Sequence, residues 1–229
     1  MKKILPILVF IVLSTSIHAQ YKPVLFGLRV GGNLGWMKAD ADGYSSEGVV
    51  PGFTWGFMGE FFLMENYAIL TGFNMNFNGG KLQYPSYLDV DNDNILDSGM
   101  LDRQYKLKYI QIPLCLKMQT NISDKMRIFG KIGIGTAFLL DGKAKDDFVY
   151  DGGTLNDDKK DINDEVTLMR ESLIVGGGVE FILKGSTALV VDLTYDNGFN
   201  NILLEGNPPS TVTPRAFHNY VELGVGILF

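Results

Sequence analysis

The sequence predicts an all-β fold, an eight-stranded antiparallel transmembrane β-barrel of the outer-membrane type, and three observations carry that expectation. First, the final fourteen residues form an alternating strand: Phe217, Val221, Leu223, Val225, Ile227 and Phe229 share one phase, with Ala216, His218, Tyr220, Glu222, Gly224 and Gly226 on the other. A barrel of this type turns apolar residues toward lipid and polar or small ones toward its lumen. Second, Met1 to Gln20 has the layout of a secretory signal peptide. Third, eight period-two segments are joined by connections that alternate long and short, as they do when long loops face outside and short turns face the periplasm.

The leader places Lys2 and Lys3 before an apolar run, Ile4 to Leu13, with small residues Ser14 to Ser16 and Ala19 at its end. That run is too short to span a bilayer. Residues 1–20 are therefore set aside as a signal peptide and 21–229 are read as one barrel domain. No later stretch approaches the roughly 18 consecutive apolar residues of a transmembrane helix, so the membrane reading rests on strands.

The first strand, Val24 to Met37, sets Phe26, Leu28, Val30, Leu34 and Trp36 against Gly27, Arg29, Gly31, Asn33 and Gly35. The second, Gly52 to Met64, opposes Phe53, Trp55, Phe57, Phe61 and Leu63 to Thr54, Gly56, Met58 and Glu60. In the third, Tyr67 to Asn78, Ile69, Phe73, Met75 and Phe77 face away from Gly72, Asn74, Asn76 and Asn78. The fourth, Gln104 to Met118, places Ile110, Ile112, Leu114 and Leu116 opposite Gln111, Pro113, Cys115 and Lys117. Pro113 cannot donate a ladder hydrogen bond, so a bulge or local break is expected there.

The fifth strand, Met126 to Leu140, exposes Ile128, Ile132, Ile134 and Phe138 and turns Lys131, Gly133, Gly135 and Ala137 inward. The sixth, Leu168 to Leu183, pairs Leu173, Val175, Val179 and Phe181 with Gly176, Gly178 and Glu180. The seventh, Thr187 to Asn197, sets Leu189, Val191, Leu193 and Tyr195 against Asp192, Thr194 and Asp196, and the eighth is the C-terminal strand. Between them, 40–50, 79–103, 141–167 and 199–215 read as long loops, and 65–66, 119–125 and 184–186 as short turns.

Seven charges fall on the inward phase: Arg29, Lys117 and Lys131 against Glu60, Glu180, Asp192 and Glu222. In the small dry core of a soluble sandwich they would be very costly. Inside a narrow barrel, whose lumen is just wide enough to be filled by side chains, they form a nearly balanced network. A wide diffusion channel is not expected. Trp36, Trp55, Tyr67, Tyr105, Tyr109 and Tyr195, at or near strand ends, suit the membrane interface.

Losing Lys2 and Lys3 with the leader takes the formal net charge from −6 to −8, so nucleic-acid binding is not expected of this exported acidic chain. Cys115 is the only cysteine, which excludes an intrachain disulfide and a thiolate metal cluster and leaves it a packing role. Asp89, Asp91, Asp93 and Asp97 resemble the start of an EF-hand calcium loop, in which alternating oxygens surround a hard cation. Asn94 replaces the usual glycine and Met100 the bidentate acid, so calcium competes with a solvated acidic loop. The acidic run from Asp146 to Glu165 reads as a flexible hydrated loop. His218 is the one histidine after the leader. Ser172 and Glu171 near it point to opposite faces, so no nucleophile and base pair is expected and the catalytic set is empty.

The segments Gly27 to Leu34, Tyr109 to Lys117, Ile132 to Gly135 and Gly176 to Phe181 resemble the PorT-like family of outer-membrane β-barrel proteins, the tyrosine, proline and lysine around Ile112 being the most specific element. The resemblance implies an outer-membrane barrel, with a few members tied to protein secretion, and supplies no catalytic residues. The expected function is a non-enzymatic structural or interaction role in the outer membrane, with a small pore and, less favoured, a lipid A-modifying enzyme as alternatives. Expected partners are outer-membrane lipid and lipopolysaccharide, the barrel-assembly machinery reading Val225, Ile227 and Phe229, and an envelope or secretion protein.

Overall fold

The computed structural model describes residues 24–91, 93–204 and 213–229; the leader lies outside these. Eight long strands close on themselves: β1 (Val24–Ala39), β3 (Val49–Met64), β4 (Tyr67–Leu88), β5 (Asp97–Gln119), β6 (Met126–Tyr150), β8 (Met169–Lys184), β9 (Thr187–Gly198) and β10 (Ala216–Leu228). Each pairs antiparallel with the next, and β10 returns to β1 from Gly27↔Leu228 to Ala39↔Ala216. Backbone hydrogen bonds between Phe26 and Phe229 extend that seam to the last residue. Closure leaves no unpaired edge in the barrel wall, the condition for placing strands in lipid. Two accessories, β2 (Ser45–Ser46) and β7 (Gly153–Asp161), pair with the upper parts of β4 and β6.

The short turns lie where period-two reading puts them, together at the lower end of the barrel. At the upper end two predicted loops are mostly strand. Gly79–Leu88 pairs with Asp97–Lys106, so among the described residues only 89–91 and 93–96 leave the ladder. Likewise β6 runs on to Tyr150 and turns back as β7, so most of the acidic run is a paired hairpin and not a loop, with Asp157, Asp158 and Asp161 still exposed to solvent. The polarity of these extensions is the reverse of the segments below them, so the apolar-out pattern of the membrane strands does not mark them. In β4 above Gly79 and β5 above Tyr109, the buried phase is apolar (Leu82, Tyr84, Leu101, Tyr105, Leu107).

Pro113 causes a break and no register shift. The β4–β5 ladder is interrupted between Thr71↔Leu114 and Asn74↔Gln111, while Pro113↔Gly135 continues regularly on the β6 side. Gly72 occupies the gap at φ 146°, and a Cβ there would meet the Phe57 carbonyl oxygen at 2.1 Å, so glycine is required. The bulge lies instead opposite Lys108 and Tyr109, where Leu140 is the extra residue of β6.

The lower barrel is apolar outside. Phe26, Leu28, Phe57, Ile112, Leu114, Ile132, Ile134, Leu193 and Leu223 are exposed, and the residues between them in sequence point inward. Of the aromatic residues expected at the interface, Trp36 stacks on Tyr195 at 6.1 Å, whereas Trp55 lies within the apolar belt. Tyr105 and Tyr109 are buried inside the upper barrel, a correction that follows from the same reversal of polarity.

Candidate functional site

The interior is built in layers. The lowest is an apolar plug of Leu25, Met58, Phe129, Ala188, Val190 and Leu228. Next to it the Lys117 ammonium donates to Glu60 Oε1 at 2.6 Å and to Glu180 Oε1, and its Nζ lies 4.6 Å from the Phe129 ring centre. Arg127 Nε stands 2.7 Å from Glu180 Oε2, an ion pair. A second group follows: Arg29 Nη2 donates to Glu222 Oε1 at 2.5 Å and lies 3.4 Å from Asp192 Oδ1. Lys131 Nζ and Thr194 Oγ1 donate to Asp192 Oδ2 at 2.6 and 2.8 Å. The seven charges read from the sequence thus sit inside the barrel in two separate groups.

Sequence reading missed a third group. Arg170 Nη2 donates to Asp196 Oδ1 at 2.5 Å and to the His218 carbonyl at 2.8 Å. Gln111 Nε2 and Ser172 Oγ donate to Asp196 Oδ2 at 2.7 and 3.1 Å, and Tyr220 donates its hydroxyl to Gln111 Oε1 at 3.1 Å. Adding Arg127, Arg170 and Asp196 to the seven gives five cations and five carboxylates in these three groups, so the interior charge balances. The signal was available, since Arg170 and Asp196 share the inward phase with Ser172 and Asp192. Buried charges persist when they are paired and their remaining lone pairs are satisfied. The space left among these layers is about 30 Å³, room for one or two waters.

Above the polar layers lies a second apolar core containing Met37, Leu82, Tyr84, Leu101, Tyr105, Leu107, Phe148, Ile162, Val166 and Ile202. One buried cation sits within it. Arg103 grips Asp146 with two donors, Nε to Oδ1 at 2.7 Å and Nη2 to Oδ2 at 2.5 Å, and gives Nη1 to Glu165. Burial works against the Arg103 charge, but the Asp146 hydrogen bonds and its neighbours outweigh it and raise its pKa. Burial pushes the Tyr105 phenol up to about 12, opposed in part by Arg103. Asp146 and Glu165, read from sequence as hydrated, are therefore structural counter-ions.

The remaining candidates are not brought together. His218 is buried, with Nε2 3.1 Å from the Gly79 carbonyl oxygen, and Ser172 bonds Asp196 and the Gly135 carbonyl instead. Glu171 points the other way and accepts from Thr136. Asp89, Asp91 and Asp93 bring carboxylate oxygens within 4.8 Å of one another, while Asp97 opens β5 outside that group. Asp89 already accepts from the Asp93 and Asn94 backbones, and Asp93 from Ile95, which caps the turn. Val225, Ile227 and Phe229 are exposed on the outer face of the closing strand.

Comparison with solved structures finds small outer-membrane barrels at low identity. The Yersinia pestis attachment invasion locus protein Ail is 17% identical, with 90% of this chain and 98% of that one covered and a TM-score of 0.41. The neisserial surface protein NspA is 11% identical over 89% and 95%, with a TM-score of 0.43. The N-terminal barrel domain of Pseudomonas aeruginosa OprF is 10% identical over 92% and 100%, with a TM-score of 0.41. No curated protein matches the sequence. The model of the outer membrane protein beta-barrel domain family matches residues 18–204, most of the chain, and with the closed eight-stranded barrel just described the chain belongs to that family.

Proposed function

We propose that this chain is a non-enzymatic, non-conducting integral barrel of the outer membrane, of the PorT-like kind, exported by its leader and acting through its upper extension on lipid or an envelope protein. The observation that supports this reading best is the filled interior. An apolar plug, three ion-paired layers and an apolar cap succeed one another along the barrel, and the cavity among the ion-paired layers holds only about 30 Å³. A conducting pore needs a continuous aqueous path, and here each layer would have to open. The upper extension, by contrast, is a surface of paired strands, the kind of element that holds a contact in place. In this reading the barrel-assembly machinery engages the outward Val225, Ile227 and Phe229.

The test is to fold the chain without its leader in detergent, compare boiled with unboiled migration, and record current across a planar bilayer. A heat-shifted band with no steps above baseline is the expected result. Defined conductance steps from the heat-shifted species would replace this reading with a small pore.

A further inference from the structure

The outer surface of the barrel carries a cleft of about 350 Å³ between the start of β3 and the outward faces of β4, β5 and β6. Its floor is apolar. Phe53 and Phe77 stack there with ring centres 4.3 Å apart, at the top of the lipid-facing belt. Its rim is basic. Lys108 lies across the ladder from Phe77, and Lys106 lies across from Lys143. Lys108 Nζ lies over the Phe77 ring, 5.5 Å from its centre, so the charge stands directly above the apolar floor. Among the described residues Asp141 is the single carboxylate lining the cleft, and it is held by Lys143 at 3.0 Å. Among the described residues Lys106 and Lys108 have no carboxylate within ion-pairing distance.

Three ammonium groups against one carboxylate is a net positive site on a chain whose formal charge is −6. Its height is specific as well. On β5 the outward residues are Leu116, Leu114, Ile112 and Ile110, and then Lys108, so the lysines begin where the apolar belt ends. In a membrane that level is occupied by lipid headgroups. Apolar floor and basic rim together match a molecule with an acyl chain below and an anion above, and ammonium groups bind phosphate strongly in partly desolvated surroundings. Lysines serving only to solvate the surface would need no apolar floor beneath them.

We infer that the Lys106, Lys108 and Lys143 cleft binds an outer-leaflet lipid whose headgroup carries phosphate, its acyl chain lying on Phe53 and Phe77. The inference rests on the membrane reading above. The interaction is electrostatic at its rim, so it weakens as salt rises.

The full chain without its leader, folded in detergent, is titrated with diphosphoryl lipid A and with the same lipid stripped of phosphate, and native mass spectrometry counts adducts. The variants are K106E/K108E/K143E, the milder K106Q/K108Q, and K38E, a lysine exposed on β1 outside the cleft. The wild type and K38E are expected to hold one phosphorylated lipid, the triple variant to bind it about tenfold more weakly or less, and the double variant to fall between. Inorganic phosphate in excess is expected not to displace the lipid. Equal adducts on wild type and both cleft variants, or equal binding of the stripped lipid, would overturn the inference. Displacement by inorganic phosphate would reassign the cleft to a free anion. A heat-shifted band without a lipid adduct sinks this inference alone, whereas a wild-type band that does not shift on heating sinks the barrel reading beneath it.

Discussion

The lower and upper halves of the same strands follow opposite rules. On β5, Leu116, Leu114, Ile112 and Ile110 face outward while Lys117, Cys115 and Gln111 are buried. Past Tyr109 the outward residues become Lys108, Lys106, Gln104 and Asp102, and the buried ones become Leu107, Tyr105 and Leu101. The pleat continues without a change of phase; what changes is the medium outside it. Where lipid surrounds the barrel, sequestering apolar groups inside brings no gain over leaving them in lipid, and polar groups gather within and pair. Where water surrounds it, ordinary hydrophobic burial returns and the barrel has the core of a soluble protein.

The sharpest way to break this contrast is to remove a charge from the lower interior. Lys117→Met leaves Glu60 and Glu180 facing each other with only Arg127 nearby, and breaking such a buried pair costs about 3–5 kcal/mol. Urea unfolding in lipid vesicles, followed through Trp36 and Trp55, is expected to show that loss. A change below about 1 kcal/mol would mean the pairs do not hold the lower barrel.

A charge placed on the lipid face tests the other side of the wall. Ile112→Lys, in mid-belt, is expected to cost about 2–4 kcal/mol in vesicles. Stability equal to wild type in the same assay would place Ile112 outside the bilayer.

The upper core carries its own pH dependence. Tyr105 keeps its proton up to about pH 12 when folded, against about 10 when unfolded. Between those values the unfolded state has lost a proton that the folded state retains, so stability falls as pH rises through that window. A shift of about two units corresponds to roughly 3 kcal/mol of stability, present in full below about pH 10 and withdrawn between about pH 10 and 12. Proteolysis of the upper hairpins should accelerate across that window in wild type and less steeply in Tyr105→Phe. Equal steepness in the two would remove Tyr105 from the account. The smallest effect belongs to the outer surface of the same region. Asp102→Asn, outward and opposite Asp147, should change the unfolding midpoint by an amount equivalent to less than about 0.5 kcal/mol.

Much of the lower barrel above its apolar plug was legible because one rule, apolar out and polar in, governs its strands there, and Arg29, Glu60, Lys117, Lys131, Glu180, Asp192 and Glu222 all stand on the inward phase it assigns. Asp196 is read on that phase too, but without a partner, because Arg170 stands at the upper end of its strand, where a charge is easily assigned to solvent. The upper extension was not legible by that rule. Leu82, Leu101 and Leu107 share the phase of the lumen charges, and an apolar residue there contradicts the pattern until the strand is seen to have left the membrane. Arg103, Asp146 and Glu165 are distant in sequence and converge only through the β4–β5–β6 pairing and the returning hairpin. Their partnership has no local signature. The lysine cleft is hidden for the same reason, since Lys106 and Lys143 become neighbours only through the ladder.

The central claim, that β5 leaves the bilayer between Ile110 and Lys108, is tested most directly by a cysteine scan. In a Cys115→Ala background, single cysteines replace the outward residues from Leu116 up to Asp102, and the barrel is reconstituted in vesicles and treated with a membrane-impermeant maleimide. Protection at 116, 114, 112 and 110 followed by rapid labelling at 108, 106, 104 and 102 is the predicted result. Uniform labelling along all eight positions would contradict the account.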